Sequence, residues 1–199
     1  MLFAGESPIL NHMTDTVNLT NQFIIAMPAL DDPNFYHSVT YICEHSEHGA
    51  LGLMINRVTD ISLGEVLSQM DLEWPQQDLA DRMVLLGGPI DPERGFILHS
   101  PVGDWDSSIR ITDELALTTS LDILEAISSG YEPDRLLIAL GYAGWGAGQL
   151  EQEMADNAWL SAPADMKILF DLPLEDRWEA AVRSVGVDLT HLSNDVGHG

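Results

Sequence analysis

The chain has 199 residues, 45% of them hydrophobic, and sets 8 Lys+Arg against 32 Asp+Glu for a formal net charge of −24. That length and composition suit one domain with a real core; no run approaches the roughly 18 consecutive apolar residues of a membrane span, and the single Cys43 excludes an internal disulfide framework. The charge argues against duplex DNA as a direct partner. Phosphate affinity comes from clustered Lys and Arg, whereas Arg57, Arg82, Arg94, Arg110, Arg135, Lys167, Arg177 and Arg183 are scattered singly. The acidity fits a solvated surface or a basic protein partner.

Residues 1–16 carry no cationic region and no apolar stretch of signal type. They read as a disordered extension, with an upstream start the other reading for residues 1–12, ahead of a single domain over 17–187 and a polar tail over 188–199. Without export features the expected location is the cytoplasm. Gln22 to Met27 is a short apolar run closed by Pro28. Phe35 to Glu44 alternates, with Val39, Tyr41 and Cys43 on one face, and predicts a half-buried strand. His45 to Gly49 turns the chain into a second strand, Ala50 to Asn56, paired as a hairpin. Ser62 caps a short helix carrying Leu63, Val66, Leu67 and Met70. Glu73 to Arg82 reads as a loop. Met83 to Leu86 and Phe96 to His99 predict strands of a second hairpin about the DPERG turn, followed by strand material at Ile109 to Thr112 and Leu115 to Thr118. Ser120 opens a helix that Gly130 ends. Leu136 to Leu140 predicts a buried strand that breaks at Gly141 into a glycine loop. Ala147 to Asp156 is a helix, Met166 to Phe170 a strand, and Glu175 to Val185 a helix burying Trp178, Ala181, Val182 and Val185. Strands before helices, then mixed order, argue for an α+β fold.

Three segments in order, NQFIIAMPALDDPNFYHSVTYICEHSEHGALGLMINR (21–57), LGGPIDPERGFILHS (86–100) and LGYAGWGAGQLEQEMADNAWLSAP (140–163), closely resemble the bacterial AlgH/YqgE family. The resemblance runs from about Val17 to His198. It implies a single α+β domain whose strongly curved, largely antiparallel sheet folds as a pseudo-barrel with flanking helices. It also implies a regulatory role, since the family is labelled as transcriptional regulators without an agreed biochemical activity. The family pattern Gly-Tyr-x-x-Trp-x-x-Gly-Gln-Leu-Glu maps onto Gly141, Tyr142, Trp145, Gly148, Gln149, Leu150 and Glu151.

A strand, a glycine-rich turn and a helix N-terminus can cradle an anion on converging backbone N–H groups. This makes Gly141, Tyr142, Trp145, Gly148 and Gln149 candidate ligand residues. No P-loop Lys-Ser/Thr follows, and Glu151 and Glu153 would repel a phosphate, so a structural turn is the other reading. Cys43 and His45, expected on one strand face roughly 6.6 Å apart, are candidates for a reactive thiol beside an imidazolium; a buried core cysteine is the alternative. Cys43, His45 and His48 lack the second half of a structural zinc site, so no metal and no cofactor are expected. Arg94, at the DPERG turn, could clamp a carboxylate or phosphate or pair with Asp91, Glu93 or Asp104. Hydrolase and kinase signatures are missing. The sequence therefore favours a regulatory or adaptor protein acting through a protein partner or small ligand. The alternative is an enzyme using Cys43, His45 and Arg94.

Overall fold

Ten strands and five α-helices are present among the residues that the computed structural model describes, 18–73 and 77–186. The expectations for residues 1–16 and 188–199 lie outside the described residues. β1 (Gln22–Ala26), β2 (Val39–Ser46) and β3 (Gly49–Met54) form an antiparallel meander. β4 (Val58–Ser62) leads into α1 (Leu63–Gln69). Ser62 opens that helix with a capping box: its hydroxyl accepts the Glu65 N–H, and the Glu65 carboxylate accepts the Ser62 N–H. Next come α2 (Gln77–Ala80), β5 (Met83–Leu86), β6 (Ile90–Ser100), β7 (Ser108–Arg110), β8 (Ala116–Thr118) and α3 (Asp122–Ser128). Gly130, at φ 100°, closes α3 as expected. β9 (Arg135–Gly146), α4 (Gln149–Ala155), β10 (Trp159–Pro163) and α5 (Leu174–Ser184) complete the order.

The strands follow the order β10-β1-β2-β3-β9-β6-β8-β7, each neighbouring pair antiparallel. β5 runs parallel to β9 and carries β4 antiparallel on its other edge. Strand β9 is the hub: β6 lies along one edge, and β5 and then β3 lie end to end along the other. The sheet curls into a half-barrel, the α+β architecture expected from the family resemblance. Two irregularities contribute to the curl, because extra residues bend a strand and change its facing. In β2 the register slips between Ile42 and Glu44, leaving Cys43 as the additional residue. Between β6 and β9, residues 91–94 stand opposite Gly141 alone, which takes φ 70°; Leu137 and Ala139 face inward before it and Tyr142 after it.

The concave face holds the main core, from Phe23 and Tyr41 through Leu98 to Ala139. Ala181 and Val182 of α5 and a π-helical turn at Lys167–Asp171 cover it. The convex face carries two smaller clusters. At one end Leu150 of α4 packs on Ile24, Ile42, Ala143, Trp145 and Trp159. At the other, α1 and α3 pack on Val84, Ile97 and Ile138. No helix among the described residues is long and apolar enough to cross a membrane.

Four local expectations are corrected. The strand expected from Phe35 begins only at Val39, because Asp32 accepts the N–H of Asn34 on its side chain and that of Tyr36 on its carbonyl, winding the segment into a turn. Met83–Leu86 does not form a hairpin with Phe96–His99; β9 lies between them. The glycine loop expected after Leu140 is strand as far as Gly146. Met166–Phe170 is helical rather than extended: Asp165 caps the Lys167 N–H, and Leu172 donates to the Lys167 carbonyl. Such a short apolar run fits a strand or a buried helical turn equally well by pattern.

Candidate functional site

The segment Gly141–Glu153 fastens α4 to the sheet. Gly148, at φ 71°, makes the turn, and the Gln149 side chain accepts the Gly146 N–H at 3.0 Å. One oxygen of Glu153 accepts the indole N–H of both Trp145 (2.9 Å) and Trp159 (2.8 Å), and its other oxygen takes the Gln149 amide. Trp145 and Leu150 share the convex cluster, while Tyr142 packs on the concave core, so the two aromatic residues of the motif lie on opposite faces of the sheet. Gly141 is needed for close approach: a Cβ there would stand 2.4 Å from the Gly88 carbonyl oxygen. Gly144 and Gly146 lie within β9, so the glycines form no convergent N–H cradle.

The bulge at Cys43 separates the two residues expected to cooperate. Cys43 is 1% exposed within the concave core, and burial, with Glu44 adding to it, pushes its thiol pKa up, away from the thiolate. His45 lies opposite Ala50, which packs with the convex cluster, so it sits on the other face of the sheet. Its Nδ1 accepts the Leu19 N–H at 3.0 Å, which leaves Nε2 to donate to Glu151 at 2.9 Å. The expectation of a shared face is therefore overturned. His48 is exposed, and no metal-ligand group of three His, Cys, Asp or Glu occurs among the described residues. Arg94 is exposed on β6 with its guanidinium 5.2 Å from the Phe96 ring centroid. Tyr142 and Trp145 border a shallow depression with Glu44, His48 and Ile90 that includes neither Cys43 nor Arg94.

The deeper site lies elsewhere. β5 pairs with β9 only at Leu85–Ala139 and Leu86–Leu140. Toward the start of both strands they part, and the gap opens as a cleft of about 470 Å³ roofed by Leu169, Phe170, Asp171 and the first turn of α5. That volume falls within the range of small-molecule pockets. Three of the eight basic side chains, Arg82, Arg135 and Arg177, line it. Arg177 is 6% exposed and donates through Nε to the Leu172 carbonyl and through Nη1 to the Ile55 carbonyl. Burial lowers its pKa from the ordinary value and Asp171 acts the other way. Arg135 Nη1 lies 3.9 Å from Asp171, and its guanidinium stands 5.5 Å from the Phe170 ring centroid. The singly scattered arginines of the sequence thus converge through the fold. One signal was present beforehand: Arg177 stands four residues before Ala181, on the apolar face of its helix.

Residues 23–190 match the AlgH-like family model. The chain belongs to the AlgH-like family. This AlgH-like protein is 57% identical to a UPF0301 protein of Thioalkalivibrio sulfidiphilus, over 94% of this chain and 100% of the relative. It is 51% identical to a UPF0301 protein of Chromobacterium violaceum, over 92% of this chain and 99% of that one. The solution structure of AlgH from Pseudomonas aeruginosa matches with a TM-score of 0.75 at 45% identity, covering 99% of this chain and 100% of that chain. A crystal structure of a Corynebacterium diphtheriae protein matches at TM-score 0.65 and 23% identity, covering 83% of this chain and 86% of that one, a likeness of fold alone. None of these names states an activity.

Proposed function

We propose that this AlgH-like protein is a cytoplasmic regulatory or adaptor protein that acts by binding. A small ligand occupies the arginine cleft, and a protein partner reads the occupied state, so that any effect on transcription is indirect. The observation that carries this reading is the gathering of Arg82, Arg135 and Arg177 at one cleft in a molecule of net charge −24. Elsewhere the acidic surface repels anions, so a local cationic cleft is where one would be held. Binding is favoured over chemistry because Cys43, His45, Arg94 and the Gly141–Gly148 segment do not share a cleft. Direct contact with duplex DNA is no part of the reading, for lack of a basic stripe. The test is a thermal-shift screen of cellular metabolites against wild type and Arg135→Gln, with promoter DNA titrated by fluorescence anisotropy. Ligands that raise the melting temperature of wild type but not of the variant support it. A panel that shifts nothing, or micromolar binding of promoter DNA by the purified protein, refutes it.

A further inference from the structure

Resting on the cleft as the ligand site, we infer that its ligand is a small monocarboxylate with an apolar tail. The charge balance argues for one negative charge. Arg135 and Arg177 both look to Asp171, which lies 3.9 Å from Arg135 Nη1 and acts on Arg177 through space. Two guanidinium groups thus share one carboxylate. Arg82 and Asp134, also in the lining, offset each other, so the cleft carries a single positive charge in excess. Donors are left over as well. The Arg135 side chain is 38% exposed, and its Nη1, 3.9 Å from Asp171, has no hydrogen-bond partner. A guanidinium with hydrogen-bonding capacity to spare gains from an incoming acceptor. The planar guanidinium matches a carboxylate in two-point geometry.

The rest of the lining decides what the acid is attached to. Apart from the three arginines, Asp134 and Asp171, every side chain lining the cleft is apolar, and Met83, Leu136, Phe170 and Leu174 keep surface exposed there. It offers no hydroxyl, amide or imidazole side chain. A nucleotide or sugar would find no neutral polar side chain there to pair its ring hydroxyls and amines, which binding sites supply. An alkyl or aryl chain meets the opposite situation, since its burial on leucine, methionine and phenylalanine is favourable in proportion to area. A ligand with its polarity confined to one acid group satisfies both ends.

Isothermal titration calorimetry of the full chain tests this with sodium octanoate as the probe. Octan-1-ol, acetate, inorganic phosphate and AMP serve as comparisons. Octanoate is expected to bind at least about tenfold more tightly than octanol or acetate, and Arg135→Gln to weaken it about tenfold or more, the usual scale for a charge-assisted contact. Arg82→Gln, at an exposed position, is expected to weaken it to a smaller degree, and it decides the matter if Arg135→Gln fails to fold by circular dichroism. The inference is overturned if octanol matches octanoate, if phosphate or AMP binds more tightly, or if neither substitution changes octanoate affinity. Should octanoate fail while another metabolite stabilises wild type and not Arg135→Gln, the ligand class is wrong and the cleft reading stands. If nothing binds, both fall.

Discussion

Replacing Glu153 with Ala tests whether the family's Gly-Gln-Leu-Glu motif and the residues beside it form a structural clamp. In the wild type one carboxylate oxygen accepts both indole N–H groups, and the residues that donate them, Trp145 and Trp159, are 6% and 4% exposed. Alanine leaves two largely buried donors without an acceptor, each costing about 1–3 kcal/mol. The two share one oxygen and do not add independently, so the expected loss is about 2–5 kcal/mol. Glu153→Gln keeps an acceptor and loses only the charge assistance, so it should cost about 1 kcal/mol. Trp145→Phe in the alanine background removes one stranded donor, and its cost there should be smaller than in wild type. Urea unfolding followed by far-ultraviolet circular dichroism gives each free energy. If Glu153→Ala lies within about 0.5 kcal/mol of wild type, the range of ordinary surface substitutions, the indole donors find water and the clamp argument fails.

Gly141→Ala should destabilise by at least about 1–3 kcal/mol from its positive φ alone, with the Gly88 contact adding to it, whereas Gly146→Ala, with no atom nearer than 3.8 Å to the new methyl, should be close to neutral; thermal melts compare the two. Cys43 should resist iodoacetamide in the native protein from pH 5 to 9 and label on unfolding, as followed by mass spectrometry; rapid native labelling would mean that the concave core opens readily. His99 is buried with Nδ1 donating to the Pro101 carbonyl and Nε2 2.9 Å from the Thr118 hydroxyl, and burial lowers its pKa from the ordinary 6.5. Its native state therefore binds fewer protons than the unfolded chain, and the stability it contributes is present above pH 6.5 and lost as pH falls through the folded value. Urea midpoints from pH 8 to 5 should converge between wild type and His99→Gln toward the acid end; parallel curves would refute this.

Much of the framework was legible because local signals carried it. Alternation at Val39, Tyr41 and Cys43 gave β2, Ser62 marked a helix start, and Gly130 marked a helix end. The bulge at Cys43 was hidden, since Glu44 is polar on either facing and nothing in the spacing shows that the register slips there. The glycines after Leu140 read as a loop, yet Gly141 serves a strand that must cross close to the Gly88 backbone, a requirement set by a segment some fifty residues earlier. The cleft was invisible for the same reason. Arg82, Arg135 and Arg177 sit on three elements, and only the parting of β5 from β9 brings them to one place.

The hub position of β9 also bears on how the chain is made. β3, β5 and β6 all leave the ribosome before Arg135, and each has an edge whose partner is a strand not yet synthesised. Until Arg135–Gly146 emerges, those edges stand open to pairing with other nascent chains. Closing them joins residues far apart in the sequence, which makes for slow folding. A polypeptide cut short before β9 would keep all three edges bare, so premature termination should yield aggregate rather than a smaller folded unit.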